Sequence, residues 1–148
     1  MHVDGSTHSK GTGIGIVLQN IHGDKIEKTI KCGFKATNNE VEYEALIAGL
    51  KLALSLGIVS LIVRSDSQLV SKQVGKSYQT KDDRMKKYLG IVERLVDKFE
   101  NFEIKQISRE DNQQADALAN LGSTLETNQD KHISLYFLTT SALESQVK

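Results

Sequence analysis

Apolar and polar positions along the 148-residue chain change their period several times, and each change marks an element. Gly13 to Gln19 is rich in β-branched and apolar residues, His22-Gly23-Asp24 supplies turn chemistry, and Lys25 to Phe34 alternates, the pattern of a β-hairpin. Val41, Ala45, Ala48 and Leu52 then recur at helical spacing behind Asn38 or Asn39, either of which can cap a helix that Gly57 ends. Leu61-Ile62-Val63 is too short for a helix and reads as a central parallel strand buried on both faces. Ser67 to Gln73 is helical, Asp83 to Phe99 carries a long amphipathic stripe, Phe102 to Ile107 alternates as a strand, and Asn112 to Leu121 returns to helical spacing. With the stub Met1 to Asp4 as the first strand, the predicted order is β, β, β, α, β, α, α, β, α. That order implies an α/β fold: a mixed five-stranded sheet, three strands antiparallel and the rest parallel, with helices on both faces. The stub is shorter than the five or six residues, roughly, of a typical strand, so the first strand is expected to be clipped.

Composition sharpens this picture at a few points. A hydrophobic share of 39% is enough for one core. Cys32 is the single cysteine, which excludes an intrachain disulfide and leaves a structural zinc site without ligands. No apolar run is long enough to span a bilayer, and Met1 is followed by His2-Val3-Asp4 instead of a basic and then an apolar segment; no membrane association and an intracellular, cytoplasmic or nuclear location are expected. After Gly122 the chain becomes richer in Ser, Thr, Asn and Gln, so residues 1–122 are expected to form the domain and 123–148 a linker or tail. Within that tail, Ile133 to Leu138 is either an extra strand on this core or part of a following unit. The zero net charge argues against an indiscriminate polyanion binder. Lys72, Lys76, Lys81, Arg84, Lys86 and Lys87, set against Asp82 and Asp83, still form a basic stretch that reads equally as a solvated helix face or as a nucleic-acid contact.

The candidate chemistry lies in carboxylates. Asp4-Gly5-Ser6 and Asp66-Ser67-Gln68 each follow a strand, where ligands of open α/β sheets gather, and two such carboxylates side by side suit a hard cation. On a wheel of about 100° per residue, Glu42 falls within about 40° of Leu46, Gly49 and Ala53, whereas Glu44 shares its line with Glu40, Lys51 and Ser55. Glu42 is therefore predicted to face inward and Glu44 outward. An inward carboxylate is costly unless it is paired or bound to metal, which makes Glu42 the better ligand candidate. Asp116 borders the small apolar stripe Ala115, Leu118, Ala119 and Gly122. Each acid taken singly is also explained as a turn former, a helix cap or a first-turn partner of the helix dipole. Gly11-Thr12-Gly13-Ile14-Gly15 enters a strand instead of opening a helix, which excludes a phosphate loop; its glycines are expected to permit a tight entry into the second strand.

Four ordered segments go further: Val3-Asp4-Gly5-Ser6, Thr37 to Glu42, Asp66 to Val70, and Arg109 to Ala119. Together they resemble ribonuclease H type 1 over residues 2 to about 122, most of all the version in plant long-terminal-repeat retrotransposon polyproteins, where runs like Glu42 to Leu46 and Gly75 to Tyr78 recur. The resemblance implies a ribonuclease H-like fold and an endonuclease that cuts the RNA strand of an RNA/DNA hybrid during reverse transcription. It assigns Asp4, Glu42, Asp66 and Asp116 as catalytic metal ligands for two Mg²⁺ ions about 3.5 to 4 Å apart, with Mn²⁺ as a substitute. It also assigns substrate contacts to Gly5, Ser6, Asn38, Asn39 and Gln68, a phosphate contact to Arg109, and a reverse transcriptase domain in the same polyprotein as partner. Many cellular members carry a histidine where this chain has Gln106, and the long basic protrusion of some is replaced by the short stretch Lys76 to Lys87. Slower turnover and weaker hybrid affinity follow from those departures. The competing function is an inactive ribonuclease H-like module that only binds nucleic acid, against which the filled acid positions speak.

Overall fold

The computed structural model describes residues 1–76, 79–125, 136–138 and 140–145. Strands β1 (His2–His8), β2 (Gly11–Gln19) and β3 (Lys25–Cys32) form an antiparallel meander, followed by α1 (Asn38–Ser55), β4 (Ser60–Ser65), α2 (Gln68–Val74), α3 (Asp83–Val96), β5 (Asn101–Gln106) and α4 (Gln113–Thr124). The sheet order is β5-β4-β1-β2-β3, with β4 parallel to β1 and β5 parallel to β4, as the period changes predicted. A short sixth strand, β6 (Tyr136–Leu138), pairs in parallel with the outer edge of β3, and α5 (Ala142–Ser145) follows it. β6 therefore pairs with this core; Ile133, Ser134 and Leu135 lie outside the described residues.

β2 shows how a sequence read at period two builds two different faces. Ile14 and Ile16 point into the core beneath α1, whereas Gly13 and Gly15 alternate with them toward α4. A Cβ on Gly15 would stand 2.0 Å from the Ala115 carbonyl oxygen, and one on Gly13 2.2 Å from that of Ala119, so the glycines bring α4 down onto the sheet. This corrects the expected tight strand entry: the glycines serve helix packing along the strand. Helices cover both faces, but α4 packs mainly over β1, β2 and β3. Ile62 on β4 is accordingly 39% exposed, and the expectation of a strand buried on both faces fails for want of a helix above it.

Three further expectations change. β1 is a strand of seven residues and not a stub, so Asp4 lies within it and not beyond its end. The cap of α1 is Thr37 and not Asn38 or Asn39: its hydroxyl accepts from the Glu40 N–H while the Glu40 carboxylate accepts from the Thr37 N–H, a reciprocal capping box. Glu44 points inward, with 1% of its surface exposed. The wheel placed it outside because it weighed one apolar stripe, but α1 is pressed by the sheet on one side and by α3 on another, so most of its circumference is buried.

Candidate active site

Strand pairing and one close helix approach assemble the carboxylates. Alternation along β1 turns Val3 and Gly5 toward α1 and leaves Asp4 and Ser6 on the side of α4. The parallel register of His2 with Arg64 carries Asp4 alongside Asp66, which follows the last residue of β4. Glu42 comes from the start of α1, where the Gly5 N–H donates to its Oε1 at 2.5 Å. A Cβ on Gly5 would stand 2.7 Å from the Val41 carbonyl oxygen, so glycine is what lets α1 approach β1 this closely. As a result, one oxygen from each of Asp4, Glu42 and Asp66 lies within 4.8 Å of the others. Asp116, on the first turn of α4, is in hydrogen-bonding contact with Asp4, and its Oδ2 accepts from Asn120 Nδ2 at 3.3 Å.

These acids repel one another. Burial, then the charges of Glu42 and Asp66, push the Asp4 carboxyl up to about 9. Burial also raises Glu42, against the opposing pull of its hydrogen bonds with Asp4 and the Gly5 N–H and of the nearby Arg109 charge. A cluster of hard oxygen donors, without nitrogen or sulfur, fits Mg²⁺ or Mn²⁺. Beside it lies a shallow groove of about 580 Å³ lined by Asn38, Asn39, Glu42, Ser67, Gln68 and Leu69. Because Thr37 does the capping, the exposed side chains of Asn38 and Asn39 are spared for that groove.

Residues 2–122 match the family described as reverse transcriptase-like. The chain belongs to that family, as a ribonuclease H-like domain. Ribonuclease HI of Halobacterium salinarum is 40% identical over 86 residues, which are 58% of this chain and 43% of that protein, so the match spans less than half of the curated relative's length. The crystal structure of ribonuclease H1 from the same archaeon superposes with a TM-score of 0.73 at 33% identity, covering 82% of this chain and 93% of that one. LC11 ribonuclease H1, solved in complex with an RNA/DNA hybrid, gives 0.69 at 28% identity over 80% of this chain and 91% of its own.

Within this ribonuclease H-like domain the other expected residues are placed unevenly. Gln68 joins Asn38 and Asn39 in the groove, and Arg109 stands exposed at the turn before α4, where its charge acts on Glu42. Gly5 and Ser6 are engaged inside the protein: Gly5 holds Glu42, and the Ser6 hydroxyl donates to Asn120 Oδ1 at 2.7 Å. The basic stretch is divided, since Arg84 is spent on Glu40 at 2.6 Å while Lys81, Lys86 and Lys87 remain exposed; Ser77 and Tyr78 lie outside the described residues. Two polar residues at the site carry roles that the sequence does not assign them, Asn112 and Asn120. Asn120 lies four residues after Asp116, on the same helix face, which is a signal that spacing alone carries. Asn112 is visible only through its contacts.

Proposed function

We propose that this domain is a ribonuclease H that hydrolyses the RNA strand of RNA/DNA hybrids, with Asp4, Glu42, Asp66 and Asp116 holding two Mg²⁺ ions that Mn²⁺ can replace. The observation that carries the reading is the convergence of Asp4, Glu42 and Asp66 within 4.8 Å beside a groove lined by Asn38, Asn39 and Gln68. When bound, the ions lower the pKa of an attacking water and steady the departing oxygen. The chain's own groups do the rest. The Gly5 N–H fixes Glu42, the Ser6 and Asn120 side chains steady Asp116 from the flank, and the amides of the groove offer both donors and acceptors to a 2′-hydroxyl, the group that separates RNA from DNA at one position. Arg109, exposed at the turn before α4, would meet a phosphate. We further propose, on the resemblance of the ordered motifs, an origin in a retroelement polyprotein beside a reverse transcriptase domain, acting inside the cell.

Incubation with hybrid, duplex DNA and duplex RNA tests this directly. Hybrid RNA should be cut in Mg²⁺ or Mn²⁺, duplex DNA should survive, and chelator or Asp66→Asn should stop the reaction. Hybrid left intact in both metals at high protein concentration would replace this reading with that of a binding module.

A further inference from the structure

Asn112 sits in the turn between β5 and α4 and is 1% exposed. Its side-chain Nδ2 donates twice, to the Val3 carbonyl oxygen at 2.9 Å and to Asp66 Oδ2 at 3.2 Å. Val3 immediately precedes Asp4, so a single amide ties the main chain that presents one acid to the carboxylate of another on a different strand. The opposite end of the same amide, Oδ1, is buried without a hydrogen-bond partner. Leaving a buried carbonyl unpaired is unfavourable, and an apolar side chain of this size would avoid it. The amide therefore does something an apolar filler cannot.

What it does follows from the torsions of an aspartate. The terminal torsion of a carboxylate is broad, and Asp66 stands near Asp4 and Glu42, whose charges drive it away. A donor rooted in the buried turn holds Oδ2 against that repulsion while its second bond holds the Val3 carbonyl. We infer that Asn112 is a positioning residue that fixes the separation of Asp4 and Asp66 and so prepares the cluster for a divalent cation. The inference rests on the metal-site reading given above and adds to it a residue outside the acid set. Outer-shell partners of metal ligands typically contribute about 10- to 100-fold in metal affinity.

The test is a Mg²⁺ titration without nucleic acid, followed by calorimetry and by melting temperature, on the unaltered protein and on Asn112→Ala. The midpoint for Mg²⁺ should rise about 10- to 100-fold in the variant. Cleavage should show kcat falling at fixed Mg²⁺, with KM for the hybrid unchanged, and should recover as Mg²⁺ is raised. A variant that melts earlier yet keeps the original Mg²⁺ midpoint and kcat would reduce Asn112 to a clip on Val3 and overturn the inference alone. A flat titration in the unaltered protein would overturn the metal-site reading and this inference with it. A second measurement needs no variant: the Asn112 side-chain amide protons, observed by nuclear magnetic resonance, should shift on Mg²⁺ addition with the same midpoint as the calorimetry. Resonances that stay in place through metal saturation would overturn the proposal even if Asn112→Ala does not fold.

Discussion

Glu42 and Glu44 stand two residues apart on α1, both withdrawn from solvent, in opposite surroundings. Glu42 faces the carboxylates of Asp4 and Asp66, and the charge of Asp66 repels it. Glu44 meets neutral donors: the Tyr88 hydroxyl donates to its Oε2 at 2.6 Å, and the Ala142 N–H lies 3.0 Å from both carboxylate oxygens. Tyr88 in turn stacks on Tyr43 with ring centroids 5.5 Å apart. Burial raises the proton affinity of both glutamates, but Glu42 sets one backbone donor, the Gly5 N–H, beside two other carboxylates, whereas Glu44 is held by the Tyr88 hydroxyl and the Ala142 N–H. A buried carboxylate can thus be satisfied by its own protein, in which case it holds elements together, or left facing like charges, in which case the fold carries an unfavourable site that a cation relieves.

The sharpest test of that contrast is charge removal at each position. Glu42→Gln should lower the cleavage rate on the order of 10³-fold, about 4 kcal/mol of transition-state stabilisation, while its metal-free melting temperature holds or rises. Glu44→Gln should leave single-turnover cleavage near the original rate; equal losses in the two variants would erase the distinction.

Next in size, Glu44→Ala should cost about 3 kcal/mol in urea unfolding, because it strands the Tyr88 hydroxyl and the Ala142 N–H and opens a cavity between α1 and α3. Truncation after Leu125 should reproduce part of this loss, since it removes Ala142 and β6 together. A truncated protein as stable as the original would show that the tail adds nothing to the core.

Metal and pH probe the Glu42 side. Asp4 binds its proton more tightly folded than unfolded, so between 3.8, the usual aspartate value, and about 9 the folded state holds more protons. The stability this group contributes is present at acid pH and is lost as pH rises through that window. In chelator, melting temperature should therefore fall from pH 5 to pH 9 more in the original protein than in Asp4→Asn. Mg²⁺ at about a hundredfold its Kd should add roughly 2.7 kcal/mol near neutral pH by binding only the folded state. A melting temperature insensitive to Mg²⁺ across the range would sink the idea of stored repulsion.

The smallest expected effect is at the surface. Arg84→Ala breaks the 2.6 Å pair with Glu40, whose arginine side chain is 61% exposed, and should change stability by about 0.5 kcal/mol or less, fading further in salt.

The sequence by itself determined the strands and helices from β2 to α4, the α/β class, and the acids Asp4, Glu42 and Asp66 that the fold brings together. Those features are local: a period, a turn, a motif. It could not say that Glu44 turns inward, that the glycines of β2 admit α4, that β6 closes the edge of β3, or that Asn112 reaches Asp66. Each of these depends on residues far apart in the chain, 98 positions between Glu44 and Ala142 and 109 between Asn112 and Val3. Periodicity describes one element against one neighbour, whereas burial and hydrogen bonding are set by every layer pressed against it, and only the packed chain brings those layers together.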